Sequence, residues 1–142
     1  MRLLKLLLLV ACLYGAYHWW NGRTADTAKD MASPNGFVSV VMPDGAALNT
    51  VLILAAPNCP SDQSQHAEAL AQDLTEQGIP VARGDSISFD IENPTAEQIA
   101  GADRAIAVFK EGAPAVFING MAMSNPTAAQ AAAEYRRTKA SL

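Results

Sequence analysis

The segment Ala56-Pro57-Asn58-Cys59-Pro60 directly follows the apolar run Val51-Leu52-Ile53-Leu54-Ala55. A second segment, Gly112-Ala113-Pro114-Ala115-Val116-Phe117-Ile118-Asn119-Gly120, places a proline before another apolar run and an Asn-Gly pair after it. The first segment predicts a lone cysteine where a buried strand turns into a helix. The second predicts a strand that begins after a proline and ends in a hairpin turn. The two segments together favour an α/β fold.

The rest of the chain supplies the other elements of this fold. Residues 37–42 and 50–55 have strand composition, and a helix is expected after Cys59. Thr95 with Gln98 forms a capping box, which the sequence repeats after Pro126. The buried faces predicted for the three helices are Ala67, Leu70, Ala71 and Leu74; Ile99, Ala102, Ile106 and Phe109; and Ala128, Ala131, Ala132 and Tyr135. The predicted order is β, β, α, β, α, β, β, α, with the order of strands in the sheet left open.

The cysteine and proline segments resemble the active-site and proline loops of the thioredoxin-like superfamily, most closely its glutaredoxin branch, over roughly residues 50–137. The resemblance implies a central mixed sheet flanked by helices, with Cys59 as the catalytic nucleophile. It implies that substrate is bound by Pro60, Ala113 and Pro114. It also implies a cis peptide bond before Pro114, facing the cysteine. Thr127 is a further candidate for substrate binding, because the amides of a helix start favour a carboxylate; the alternative is an ordinary capped helix end.

The sequence departs from the family at Asp62, which occupies the position of the second cysteine in the family's Cys-x-x-Cys motif. A helix N-terminus favours the Cys59 thiolate and lowers the thiol pKa below its free value of ~8.5. The Asp62 carboxylate competes for the same amides and repels the thiolate, which raises that pKa. The lysine before the cysteine and the Gly-Gly stretch that commonly hold glutathione are also absent.

Cys59 is the one cysteine of the predicted domain, which excludes a dithiol cycle and leaves two main hypotheses. In the first, Cys59 performs monothiol thiol–disulfide exchange on a glutathionylated or disulfide-bearing protein, and glutathione is the co-substrate that resolves the mixed disulfide. In the second, the domain is redox-inactive and binds an extended peptide or a membrane-protein partner in the same groove. A third interpretation is that Cys59 pairs with Cys59 of a second molecule.

Composition excludes several other classes of protein. The 142 residues are half hydrophobic and have a net charge of −4, with no basic stripe for a nucleic acid. The two cysteines are Cys12 and Cys59, and His66 is the one histidine beyond residue 20. Because these are too few soft or imidazole ligands for a Cys/His cluster, we expect no metal site and no bound cofactor.

The N-terminus has the pattern of a signal anchor. Residues 3–20 are apolar apart from Lys5 and His18, and at ~1.5 Å per residue they span about 27 Å. With Arg2 and Lys5 on the cytoplasmic side, this predicts a single-pass inner-membrane protein whose domain faces the periplasm or another extracytoplasmic side. The alternative is a lipobox at Leu9-Val10-Ala11-Cys12, with Cys12 lipidated. The expected organisation is a transmembrane helix at 1–20, a linker at 21–35 and a thioredoxin-like domain at 36–142.

Overall fold

The computed structural model describes residues 1–55 and 61–141, which form two compact units, Met1–Ala32 and Ser33–Leu142. The first unit is a single helix, α1 (Arg2–Asp30). Within α1, the side chains of Tyr14 and His18 lie one turn apart and are joined by a hydrogen bond of 3.1 Å. The helix includes residues 21–30, which the sequence predicts to be a linker.

The predicted transmembrane helix at residues 1–20 is corrected by the structure. Among the described residues, no helix is both long enough and apolar enough to cross a membrane. The fold class of the described chain is therefore α/β, with a mixed five-stranded sheet and four helices, and without a membrane-spanning helix.

The second unit contains the sheet and the other three helices. Its elements are β1 (Val38–Ser39), β2 (Val51–Leu54), α2 (Ser61–Glu76), β3 (Val81–Gly84), α3 (Ala96–Glu111), β4 (Ala115–Ile118), β5 (Met121–Ser124) and α4 (Ala128–Lys139). This confirms the predicted order of elements. The strand order across the sheet is β1-β5-β4-β2-β3, in which β2 and β3 are parallel and the other neighbours are antiparallel.

Both faces of the central strands β2 and β4 are buried. On one face, Val51, Ile53, Val116 and Ile118 pack against α2 and α4; on the other, Leu52, Leu54 and Phe117 pack with α3. Every residue of these two strands is buried, which explains why their sequences are apolar runs without alternation. The predicted buried stripe of α2 is confirmed in full.

The buried face of α3 differs from the predicted one. Its buried residues are Gly101, Ala105 and Val108, whereas Ile99 is 49% exposed. Gly101 explains the difference, because a Cβ atom there would lie 2.7 Å from Cγ2 of Val41 and 3.0 Å from its backbone nitrogen. Because Gly101 has no side chain, α3 can lie close to the backbone that follows β1. The face with Gly101, Ala105 and Val108 is therefore buried, and the larger Ile99 lies outside it.

A buried carboxylate attaches the start of the unit to α4. Glu134 is fully buried and accepts hydrogen bonds from Ser33 Oγ at 2.9 Å and Asn35 Nδ2 at 2.8 Å, and it forms an ion pair with Arg137. Burial raises the pKa of this carboxyl, but the hydrogen bonds from Arg137, Asn35 and Ser33 outweigh burial, and the pKa lies below its usual value. The contacts hold the segment that leads to the fully buried Phe37.

We expect the free energy of unfolding to fall at acid pH through Glu134. Because the folded pKa lies below the unfolded value of about 4.3, the contribution is complete above that pH and is lost as the pH falls through the folded value. Glu134→Gln should cost about 1–3 kcal/mol at neutral pH and flatten the acid limb of the stability curve. Urea unfolding of the full chain between pH 3 and 7 measures both effects. The control is Glu111→Gln on the exposed end of α3, which should keep the wild-type acid limb.

We expect Gly101→Ala to destabilise the protein although alanine favours helix. The added methyl group overlaps Val41, and overpacking of this kind costs about 1–3 kcal/mol, against about 1 kcal/mol gained in helix propensity. Thermal unfolding of Gly101→Ala, Val41→Ala and the double variant measures the coupling. Val41→Ala should recover part of the loss; strictly additive effects would contradict the close approach.

Candidate functional site

The predicted nucleophile lies between two described elements. Cys59 and Pro60 are outside the described residues, in the connection from β2 to α2. On one side of this connection β2 ends at Leu54. On the other side α2 begins at Ser61, and Asp62 is exposed in its first turn. The structure therefore positions Asp62 at a helix N-terminus, where its carboxylate complements the helix dipole.

The proline loop lies directly before β4, at the end of the sheet where β2 also ends. Leu54, the last residue of β2, is the register partner of Ala115, the first residue of β4. Pro114 is thus one residue from the position that pairs with the end of β2. It is buried, Ala113 is half-buried, and the peptide bond between them is cis, as the resemblance implied.

Two hydrogen bonds from the end of β5 fix the proline loop from its other side. Ser124 Oγ donates to the carbonyl oxygen of Gly112 at 2.9 Å. The amide of Asn125 donates to the carbonyl oxygen of Pro114 at 2.8 Å. Asn125 adopts the left-handed conformation with φ of 50°, which ends β5 and turns the chain toward α4. The backbone around Pro114 is therefore held by the end of β5, while the next residue, Ala115, pairs with Leu54 of β2 on the other side.

Thr127 is the N-cap residue of α4, and its capping groups are occupied. Its hydroxyl accepts from the amide of Gln130 at 3.1 Å, and its own amide donates to Gln130 Oε1 at 2.9 Å. The confirmed capping box leaves the amides of Ala128 and Ala129 as the other donors of the first turn. The predicted role of Thr127 in substrate binding stays a prediction, with fewer open donors than the sequence suggested.

Sequence reasoning missed the supporting residues of this site. Ser124 and Asn125 were assigned to the return strand and the helix start, and their contacts with residues 112–114 were not predicted. The sequence does contain one signal for the turn at Asn125, namely the Asn-Pro-Thr sequence that occurs at both 93–95 and 125–127. In both copies the asparagine adopts a positive φ, of 49° and 50°. The described residues contain no group of three or more His, Cys, Asp or Glu side chains suited to a metal ion.

Comparisons of the chain with protein-family models, with curated proteins and with solved structures find no match. The resemblance to the thioredoxin-like superfamily therefore stays a prediction. What the described chain provides is a proline loop beside the end of β2, an exposed carboxylate in the first turn of α2 and a capped start of α4.

We expect Ser124→Ala to loosen the proline loop. The substitution removes the donor to the Gly112 carbonyl, and the loss of one such bond costs about 1 kcal/mol. Exchange of the Asn125 amide with deuterium in the full chain measures the opening of this loop, and it should become faster. Ser141→Ala is the matched control, since it also removes a hydroxyl bonded to a carbonyl oxygen, that of Arg137, but at the exposed C-terminus. Equal exchange in the two variants would show that the Ser124 bond does not hold the loop.

Proposed function

We propose that the unit Ser33–Leu142 is a thioredoxin-like domain of glutaredoxin type that performs monothiol thiol–disulfide exchange through Cys59. The observation that carries the proposal is the pairing of Leu54 with Ala115. It brings the Pro114 loop to the strand end from which the Cys59 connection departs. A thiol in that connection and a proline loop at the same sheet edge form the arrangement that the resemblance implies.

The topology of the sheet gives further support. A parallel β2-α2-β3 unit is followed by α3, an antiparallel β4-β5 hairpin and α4, which is the sequence of elements that the resemblance requires. The additional strand β1 pairs with the outer side of β5, away from β2. β1 therefore does not alter the pairing of β2 with β4, on which the resemblance depends.

The proposed reaction has two balanced steps. In the first, the Cys59 thiolate attacks the glutathione sulfur of a glutathionylated protein, forming a Cys59–glutathione disulfide and releasing the protein thiolate, which takes up a proton. In the second, the thiolate of another glutathione attacks this disulfide. The products are oxidised glutathione and the free Cys59 thiolate. No second protein thiol is required, which agrees with Asp62 in place of the second cysteine.

Asp62 limits this chemistry in the proposal. Its exposed carboxylate lies in the first turn of α2, close in sequence to Cys59, and opposes the formation of a second negative charge there. The same observation favours the alternative hypothesis of a redox-inactive domain that binds an extended peptide along the proline loop. The two hypotheses differ in whether the thiol takes part.

The test is the release of glutathione from a glutathionylated peptide by the full chain. Cys59→Ser should reduce the rate to background, whereas Cys12→Ser should leave it unchanged. Asp62→Asn should raise the rate by up to about tenfold at neutral pH, because one unit of thiol pKa changes the thiolate fraction about tenfold. Asp73→Asn, on the same helix and exposed, is the control for the lost charge. Circular dichroism verifies the fold of each variant.

A Cys59→Ser variant that releases glutathione at the wild-type rate would overturn the proposal. Peptide capture that persists in the same variant would then favour the redox-inactive alternative. The rate of alkylation of Cys59 against pH, measured in the Cys12→Ser background, adds an independent readout. A midpoint well below ~8.5 supports an activated thiolate, and a midpoint at or above it contradicts one.

A further inference from the structure

Strand β3 is an open edge of the sheet. It pairs with β2 on one side, and within residues 1–55 and 61–141 no strand pairs with its other side. The carbonyl groups of Pro80 and Gly84 accept hydrogen bonds from the amides of Val51 in β2 and of Ala55 directly after it, at 2.9 and 3.0 Å. Because backbone groups alternate between the two sides of a strand, those of Val81 and Arg83 point to the open side.

A groove runs along this edge between β3 and α2. Its volume is about 450 Å³. The helix wall of the groove is one face of α2 with i, i+3, i+4, i+7 spacing, namely Glu68, Ala71, Gln72 and Thr75, and it ends at Glu76. The strand side consists of Val81 and Arg83. We call this feature the β3 groove.

The β3 groove has an excess of negative charge at one end. Glu68 forms an ion pair with Arg83, so these two charges compensate each other. Glu76 accepts a hydrogen bond of 3.1 Å from Gln72 and has no cationic partner among the described residues. The whole of α2 contains four acidic residues and no lysine or arginine. A cation placed beside Glu76 therefore meets an uncompensated carboxylate.

We propose that the β3 groove binds an extended basic peptide segment as an additional strand of the sheet. The backbone of the segment pairs with the free amide and carbonyl groups of Val81 and Arg83, which is the recognition mode of strand addition. Alternate side chains enter the groove over Val81 and Ala71, and a lysine or arginine reaches Glu76. The proposal does not depend on the redox chemistry of Cys59, since the groove contains no residue of the candidate site.

The probe is a fluorescein-labelled hexapeptide of alternating lysine and valine with blocked ends, added to the full chain at low salt. Fluorescence anisotropy measures binding. Amide hydrogen exchange measures the binding mode: the amides of Val81 and Arg83 should gain protection, whereas those of Ala82 and Gly84, which point toward β2, should change little. A hexapeptide of alternating glutamate and valine should not bind.

A pair of charge reversals on α2 tests the role of Glu76. Glu76→Lys should weaken binding about five- to tenfold at low salt, with a smaller effect at high salt. Asp73→Lys is the matched control, because it makes the same change at an exposed position of the same helix that does not line the groove. Its effect should stay below about twofold. Cys59→Ser should bind the peptide as the wild type does, which separates this proposal from that of thiol exchange.

Three results would overturn the proposal. The first is binding without protection of Val81 and Arg83, since the peptide would then lie elsewhere. The second is an equal loss of peptide affinity in Glu76→Lys and Asp73→Lys, which would indicate that the peptide is attracted to the overall negative charge of α2. The third is protection of the β3 edge that rises with protein concentration in the absence of peptide, because a second copy of the chain would then occupy the edge.

Discussion

The antiparallel pairing of β2 with β4 is the contact on which the other elements depend. β3 pairs with the outer side of β2, and β5 pairs with the outer side of β4. The positions of β3 and β5 in the sheet therefore depend on the β2–β4 pair. Because both faces of β2 and β4 are buried, polarity alone does not set their register. Side-chain volume contributes to it, since Phe117 fills the core on the α3 face. The Asn119–Gly120 turn, at φ of 45° and 83°, sets the register of β4 with β5.

Polar contacts position α4 together with its buried face, which consists of Ala131, Ala132 and the larger Tyr135. The two alanines bury little area, so Tyr135 supplies most of the apolar contact. Hydrogen bonds add directional constraints. Glu134 holds one side of the helix to the start of the unit, and Asn119 Nδ2 donates to Thr138 Oγ1 at 3.0 Å near its end. The hairpin turn that fixes β4 therefore also locates α4.

Features that depend on near neighbours in sequence were predictable, and those that depend on distant contacts were not. The element order, the α2 stripe and both capping boxes follow from periodicity and local chemistry. The face of α3 does not, because the contact of Gly101 with the segment after β1 decides it. Glu134 has the sequence signature of a surface residue, since its partners Ser33 and Asn35 lie about a hundred residues away. At the site, the Pro114 loop was predicted from its motif, whereas its support from Ser124 was not.

The two carboxylates at the ends of α2 have opposite effects on the two proposals. Asp62 lies at the positive end of the helix dipole, which stabilises its charge, and a stable negative charge there disfavours a nearby thiolate. Glu76 lies at the negative end, where the dipole adds to its charge, and α2 has no basic residue in its last turn, unlike α3 with Lys110. Arg136 of α4 reaches Gln77 just beyond the helix, but α4 packs over β4, on the far side of α2 from the β3 edge. In the two proposals, the same helix therefore opposes the thiolate at its start and attracts a cationic peptide at its end.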